Sequence, residues 1–234
     1  MTVYRPLINM IKNSLFFPTI RSLRWDLTKL KARFQTKSML KTYLKKQGSF
    51  PAKLHFGSGK KKVNGWLNID ITNSDINVDF SKASLPLPNN YFESIVSQHV
   101  IEHLELKREL EPMLIELYRI LKVDGFIYLS CPCIKKICES YINDGGEILV
   151  NGRKTRDVGY SLNGYPSVQI VNELFHQGGT HFNLFDYNLL SYILKKSGFT
   201  NIKEISEKEL LDRFPQFPSR NDGEQTLYVC ATKI

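Results

Sequence analysis

The chain has 234 residues, 42% of them hydrophobic, which suits one core-forming domain with an appendage. Its four cysteines have neither framework nor metal-ligand spacing, which excludes a disulfide scaffold and fits a reduced, cytoplasmic protein. The net charge of +9 is uneven: residues 1–50 hold eleven Lys/Arg against one acid, Asp26, so they carry +10 and the other 184 residues carry −1.

No unbroken apolar run is long enough to span a membrane, and the N-terminus lacks a signal-peptide pattern. Residues 1–50 read instead as a basic helical arm. Ile20, Leu23, Leu27, Leu30 and Phe34 recur at steps of three and four, which places them on one helical face. Arg21, Arg24, Lys29, Lys31, Arg33 and Lys37 fill much of the rest, and Leu40, Tyr43 and Leu44 extend a similar stripe. Upstream, Leu15-Phe16-Phe17-Pro18 is an apolar knot closed by a helix breaker. Three uses suit such an arm: packing on the body or on a second copy, peripheral contact with an anionic inner membrane surface, or non-specific nucleic-acid contact. The third is weakest, because exposed aromatics are sparse.

The body, residues 51–234, opens with Leu54 and Phe56 alternating with polar Lys53 and His55. That pattern predicts a strand, and Gly57-Ser58-Gly59 makes a bare turn after it. Trp66 to Asp70 predicts a second strand ending on an acid. The link between them is too short for the usual crossover helix, so the first helix is expected to be cut to a turn. Ile76 to Phe80 and Tyr91 to Gln98 read as further strands. A helix is expected from about Leu106 to Leu121, starting near Pro112, and a fifth strand over Phe126 to Ser130 after the Asp124-Gly125 turn. Residues 144–180 are Gly-rich and poorly periodic, and read as a lid or substrate-binding insertion. Asp186 caps a helix through Lys196, Ser197-Gly198-Phe199 ends it, and two strands, Ile202–Ile205 and Thr226–Ala231, close the chain.

Six stretches, in order, carry a family resemblance. They are Leu54 to Gly59, Gly65 to Asp70, Asp79-Phe80, Leu85 to Glu93, Ser97 to Leu104 with its Glu-His-Leu ending, and Tyr118 to Gly125. With the late Ser197-Gly198-Phe199 turn, they resemble the class I S-adenosylmethionine-dependent methyltransferases, closest to the small type 11-like branch. The sequence departs from that pattern in three places. Lys60-Lys61-Lys62 replaces the third glycine, His55 replaces the acid before the first, and Asp124-Gly125 replaces Gly-Gly.

The resemblance implies an α/β, Rossmann-like fold: a mostly parallel seven-stranded sheet with its last strand antiparallel. It implies S-adenosyl-L-methionine as cofactor. Phe56, Gly57, Ser58 and Gly59 would pass its methionine portion, Asp70 and Ile71 would hold the ribose side, Asp79 and Phe80 would meet the adenine, and Gln98 would line the methionine end. Members of the branch act in surface-polysaccharide or lipid-linked glycan pathways. The expected reaction is therefore O-methylation of a small molecule or glycan precursor, with RNA or protein methylation and a non-catalytic cofactor-binding scaffold as alternatives.

A hydroxyl acceptor benefits from a general base, most often His. His99 is the first candidate, since the resemblance implies that it would line the methionine end with Gln98, and His181 is the second. Arg153, Lys154 and Arg156 are placed to meet an anionic acceptor. Glu102 and His103 adjoin, but two neighbouring residues do not make a metal site, and none is expected.

Overall fold

The computed structural model describes residues 17–234, with side chains from Ser22 onward. The Leu15-Phe16-Phe17-Pro18 knot and the side chains of Ile20 and Arg21 fall outside what is described.

Among the described residues a seven-stranded sheet has the order β3-β2-β1-β4-β5-β7-β6. Its strands are β1 (Lys53–Phe56), β2 (Leu67–Asp70), β3 (Ile76–Asn77), β4 (Phe92–Gln98), β5 (Leu121–Pro132), β6 (Thr200–Ile205) and β7 (Thr226–Thr232). The pairs β1–β2, β1–β4, β2–β3 and β4–β5 are parallel, while β7 runs antiparallel to both β5 and β6. The expected sheet, with its last strand antiparallel, is the one observed.

Side chains alternate across the strands and so build two cores. Ile95, Ile127 and Leu129 face one core with α2 (Glu111–Ile120) and α6 (Tyr187–Lys196). Pro112 lies in the first turn of α2, where its missing N–H costs nothing, and a π-helical turn, Leu106–Leu110, precedes it. Asp186 caps α6, its Oδ1 accepting from Leu189 N at 2.8 Å, as its sequence position predicts.

Val96, Tyr128, Tyr228 and Cys230 face the second core. Here the short first link has its explanation. Residues 57–66 contain no helix, yet β1 and β2 are parallel neighbours. The sheet face a crossover helix would cover is filled by the β6–β7 connection instead. Its helix α7 (Glu207–Arg213) opens with a Ser206/Glu209 capping box, a signal visible in the sequence. Beyond it, Phe214 and Phe217 meet Trp66 edge-on at 5.0 and 4.9 Å. Each such buried aromatic contributes roughly 1.5–3 kcal/mol by leaving water.

Two details were not read from the sequence. Residues 144–180, poorly periodic in sequence, hold two helices after α3 (Ile134–Asp144): α4 (Glu147–Arg156) and α5 (Gln169–His176). These short helices share a small core of Ile137, Leu149, Val150, Ile170 and Leu174. Flanking glycines and short length hid their periodicity. The third strand also stops at Asn77, and Phe80–Lys82 is a 3₁₀ turn.

The arm is one helix, α1 (Phe17–Gln47): the described first part of its predicted stripe, Leu23 to Phe34, turns outward, while Leu40 and Tyr43 of the second part pack on the body. Leu23, Leu27, Leu30 and Phe34 are 57%, 57%, 42% and 77% exposed. At 3.6 residues per turn the opposite face carries Ala32, Thr36, Met39 and Tyr43. Ala32 is buried, Thr36 Oγ1 donates to Asn77 O at 2.8 Å, and Met39, Leu40 and Tyr43 pack on the main core. The periodicity is right, but the face that meets the body is the smaller-residue one.

Candidate active site

The Gly57–Gly59 turn sits at the C-terminal end of β1, where open α/β sheets bind ligands. Gly57 and Ser58 N–H donate to Ile69 O at 2.9 and 3.1 Å. Gly59 N–H donates to Asp70 Oδ2 at 2.7 Å, and Ile71 N–H to Asp70 Oδ1 at 2.6 Å. Burial pushes the Asp70 carboxyl up, the amides of Gly59, Ile71 and Thr72 pull it down, and burial prevails. Gly57 has φ +76°, and a Cβ there would meet Val100 Cγ2 at 2.1 Å, so its bareness admits Val100. Gly59, at φ +54°, faces open space. Gln98 Nε2, at the end of β4, is buried without a hydrogen-bond partner. Asp70, Ile71, Gly59 and Gln98 therefore lie at or just past the C-terminal ends of β1, β2 and β4.

Asp79 and Phe80 are placed otherwise. The Phe80 ring stacks on Phe56 at 4.2 Å, and both are 3% exposed or less. These rings are core, not a face for adenine. Asp79 caps the 3₁₀ turn, its Oδ1 accepting from Ser81 N and Oγ at 3.0 and 2.7 Å, while Arg33 of α1 pairs with Oδ2. Burial raises its carboxyl, but the Ser81 and Arg33 bonds outweigh that and hold it below the usual carboxylate range. Its oxygens are spent on structure. Beside it, α1 and the loop after β2 enclose a cleft of about 250 Å³ lined by Thr28, Lys31, Gln35, Ile71, Thr72 and Asn73. A hollow of about 330 Å³ at Asp124, Phe126 and Asn201 lies at the other end of the strands, away from these residues.

Past β4 the polypeptide turns sharply: His99 has φ +55°. Its Nε2 lies 3.2 Å from Asp222 Oδ2 and 3.2 Å from Thr226 Oγ1, and its Nδ1 lies 3.2 Å from Glu102 Oε1. Burial lowers the imidazole pKa, but Asp222 and Glu102 more than offset it, so the net shift is upward. Held between two carboxylates, His99 has no free lone pair, and the expected base role has no geometric support. Sequence reading missed Asp222, which looks like a plain turn acid in Asn221-Asp222-Gly223.

The second histidine is differently placed. Phe182 N–H donates to Glu102 O at 2.8 Å and Asn183 Nδ2 to Leu104 O at 2.6 Å, tying residues 180–185 to residues 102–104. This brings His181 beside His103, with ring centroids 4.9 Å apart. His181 Nδ1–H donates to Leu174 O at 2.7 Å and His103 Nδ1–H to Thr180 O at 3.0 Å, which leaves each Nε2 as a lone-pair atom. His181 Nε2 is buried without a partner. Of the cations in α4, Arg156 is spent on Glu224, Asn221 O and Gln225 Oε1, and it ties α4 to the β6–β7 loop. Arg153 lies over Tyr160 at 5.6 Å with Nε unpartnered, and Lys154 is exposed.

Residues 54–129 match a family model described as a methyltransferase domain. The fold is that of the class I S-adenosylmethionine-dependent methyltransferases. S-adenosylmethionine is the cofactor of that family. Its ribose diol fits a strand-end carboxylate, and its amino-acid end fits the orphaned Gln98 amide. Solved structures give a looser likeness. Phosphoethanolamine N-methyltransferase 2 of Haemonchus contortus is 13% identical, covering 84% of this chain and 52% of its own, with TM-score 0.42. The chain thus spans about half of that protein. An S-adenosylmethionine-dependent methyltransferase of Thermotoga maritima is 15% identical, covering 92% and 96%, with TM-score 0.44. One from Archaeoglobus fulgidus is 17% identical, covering 86% and 98%, with TM-score 0.43. No curated protein matches the sequence.

Proposed function

We propose that this methyltransferase-fold protein transfers the methyl group of S-adenosylmethionine to an oxygen of a small molecule or glycan precursor. The observation that supports it best is the row of Gly59, Asp70 and unpaired Gln98 along the strand ends, with lone-pair atoms beyond it. Asp70 would accept from the two ribose hydroxyls, and Gln98 would donate to the carboxylate of the methionine end. The bound cofactor supplies a methyl group on a sulfonium, a good leaving group, so the protein's work is orientation and proton removal. The helices of residues 134–176 cover the acceptor side and exclude water. Glu102 Oε2 and His181 Nε2, which meet no donor, would take the hydroxyl proton.

The test is incubation with methyl-labelled S-adenosylmethionine and cell extract separated into small-molecule and glycan, RNA and protein fractions. Label in the first supports the reading, and label in RNA or protein overturns the acceptor class. Cofactor binding with no label transferred to any fraction would favour the non-catalytic cofactor-binding scaffold.

The arm supports a peripheral membrane role within the same reading. No helix among the described residues is long and apolar enough to cross a membrane. The exposed Leu23, Leu27, Leu30 and Phe34 are flanked by Arg24, Lys31 and Lys37, which suits an anionic lipid surface. Co-sedimentation with phosphatidylglycerol vesicles, lost in Leu27→Glu/Phe34→Glu, checks it; equal sedimentation of both proteins would refute it.

A further inference from the structure

We propose that Glu102, His103 and His181 form a binding site for one divalent transition-metal ion, such as zinc, manganese or iron(II). One ligand atom from each lies within 4.8 Å of the others. Donors sharing an ion at about 2.1 Å stand at most about 4.2 Å apart, so small side-chain adjustments complete the site.

Two independent features point to a ligand. Glu102 is fully buried, yet neither carboxylate oxygen accepts a hydrogen bond. His99 Nδ1 approaches Oε1 at 3.2 Å but outside hydrogen-bond alignment, and Oε2 has no partner at all. His99 meets Oε1 alone, so Oε2 is left in the interior with nothing to complete it, which is costly. The second feature is histidine orientation. Both imidazoles give Nδ1–H to backbone carbonyls, Thr180 O and Leu174 O, fixing the tautomer with Nε2 free. That is the outer-shell arrangement that orients metal-binding histidines. The backbone bonds from Phe182 and Asn183 to residues 102 and 104 hold the distant ligand in place before any ion arrives.

Two imidazoles and one carboxylate suit borderline metals and leave coordination positions for water or an acceptor oxygen. Resting on the proposed methyl transfer, an ion held by Glu102 and His181 would replace their role as base: it would bind the acceptor hydroxyl and lower its pKa. The proton leaves to water, the O–CH₃ bond forms as the S–CH₃ bond breaks, and S-adenosylhomocysteine departs. The ion's charge is unchanged throughout.

The experiment uses the full chain, stripped with a chelator and titrated with Co²⁺ and Zn²⁺ in calorimetry, with Co²⁺ d–d absorption as a second readout. One equivalent with visible bands is expected. Glu102→Gln and His181→Gln should each weaken binding at least 100-fold while retaining the wild-type circular dichroism spectrum. No binding by the wild type, or equal binding by folded variants, would overturn the site. S-adenosylmethionine affinity is measured separately. Metal binding without methyl transfer would leave the site standing and defeat the function, and methyl transfer by chelator-stripped protein that binds metal would defeat the ion's catalytic role.

Discussion

Arg33 of the basic helix is ion-paired with Asp79 of the body, Nε to Oδ2 at 2.5 Å. A residue the family resemblance assigns to adenine thus docks the arm beside the cofactor side of the sheet. Arg33 is 39% exposed, so solvent discounts the pair to about 1 kcal/mol. Arg33→Ala should make tryptic cleavage within α1 roughly fivefold faster, since cleavage follows the opening equilibrium. Asp79's depressed carboxyl gives the sign with pH: this docking energy is present above the unfolded carboxylate range and is lost as pH falls through the folded pKa. Unchanged cleavage in the variant would show that apolar contacts alone hold the helix.

Asn68 holds together the crossover that lacks a helix. Its Oδ1 accepts from Val63 N at 2.8 Å, and its Nδ2 donates to Val63 O and Trp66 O at 3.1 and 3.0 Å. Asn68→Ala leaves Val63 N–H and Trp66 O unpaired, Val63 O keeping only Trp66 N–H, and should cost about 2–4 kcal/mol. Urea unfolding checks this, and a loss under 1 kcal/mol would mean that the Trp66–Phe214–Phe217 packing suffices.

Much of the cofactor side was legible because its signals are local. Leu54 to Gly59 and Trp66 to Asp70 announce strand, turn and acid within a few residues. The missing crossover helix could be counted, but its replacement by α7, Phe214 and Phe217 could not, since some 150 residues separate them. Glu102 and His181 meet through backbone bonds across about 80 residues, so no spacing rule joins them. The stripe of α1 gave its period but not its orientation, because which face docks depends on the small partner surface at β3.

His55 is buried against Phe217 and Asn68, and burial pushes its pKa down to about 4, a hydrogen bond to Asn68 only partly opposing. The unfolded chain binds the proton more readily, so stability falls as pH drops from about 6.5 towards 4, by roughly 3 kcal/mol in all. Denaturation at pH 7 and pH 4.5 should show this slope in the wild type and lose it in His55→Leu. An identical slope in both would place the effect elsewhere.

His99 bridges Glu102 and Asp222, both at most 1% exposed. His99→Ala leaves the Glu102 carboxylate buried without its cation, while Asp222 keeps Arg220 and Tyr228, and should cost about 3 kcal/mol. Thermal unfolding measures it. A variant as stable as wild type but catalytically dead would restore His99 as a base.

The central claim is that Asp70 and the Gly57–Gly59 turn hold S-adenosylmethionine. Calorimetric titration of the wild type and of Asp70→Ala with that cofactor tests it most directly. The account predicts one site, weakened by about 1.5–3 kcal/mol, or roughly 10- to 150-fold, in the variant. Equal affinity in both proteins, or no binding by the wild type, would contradict it.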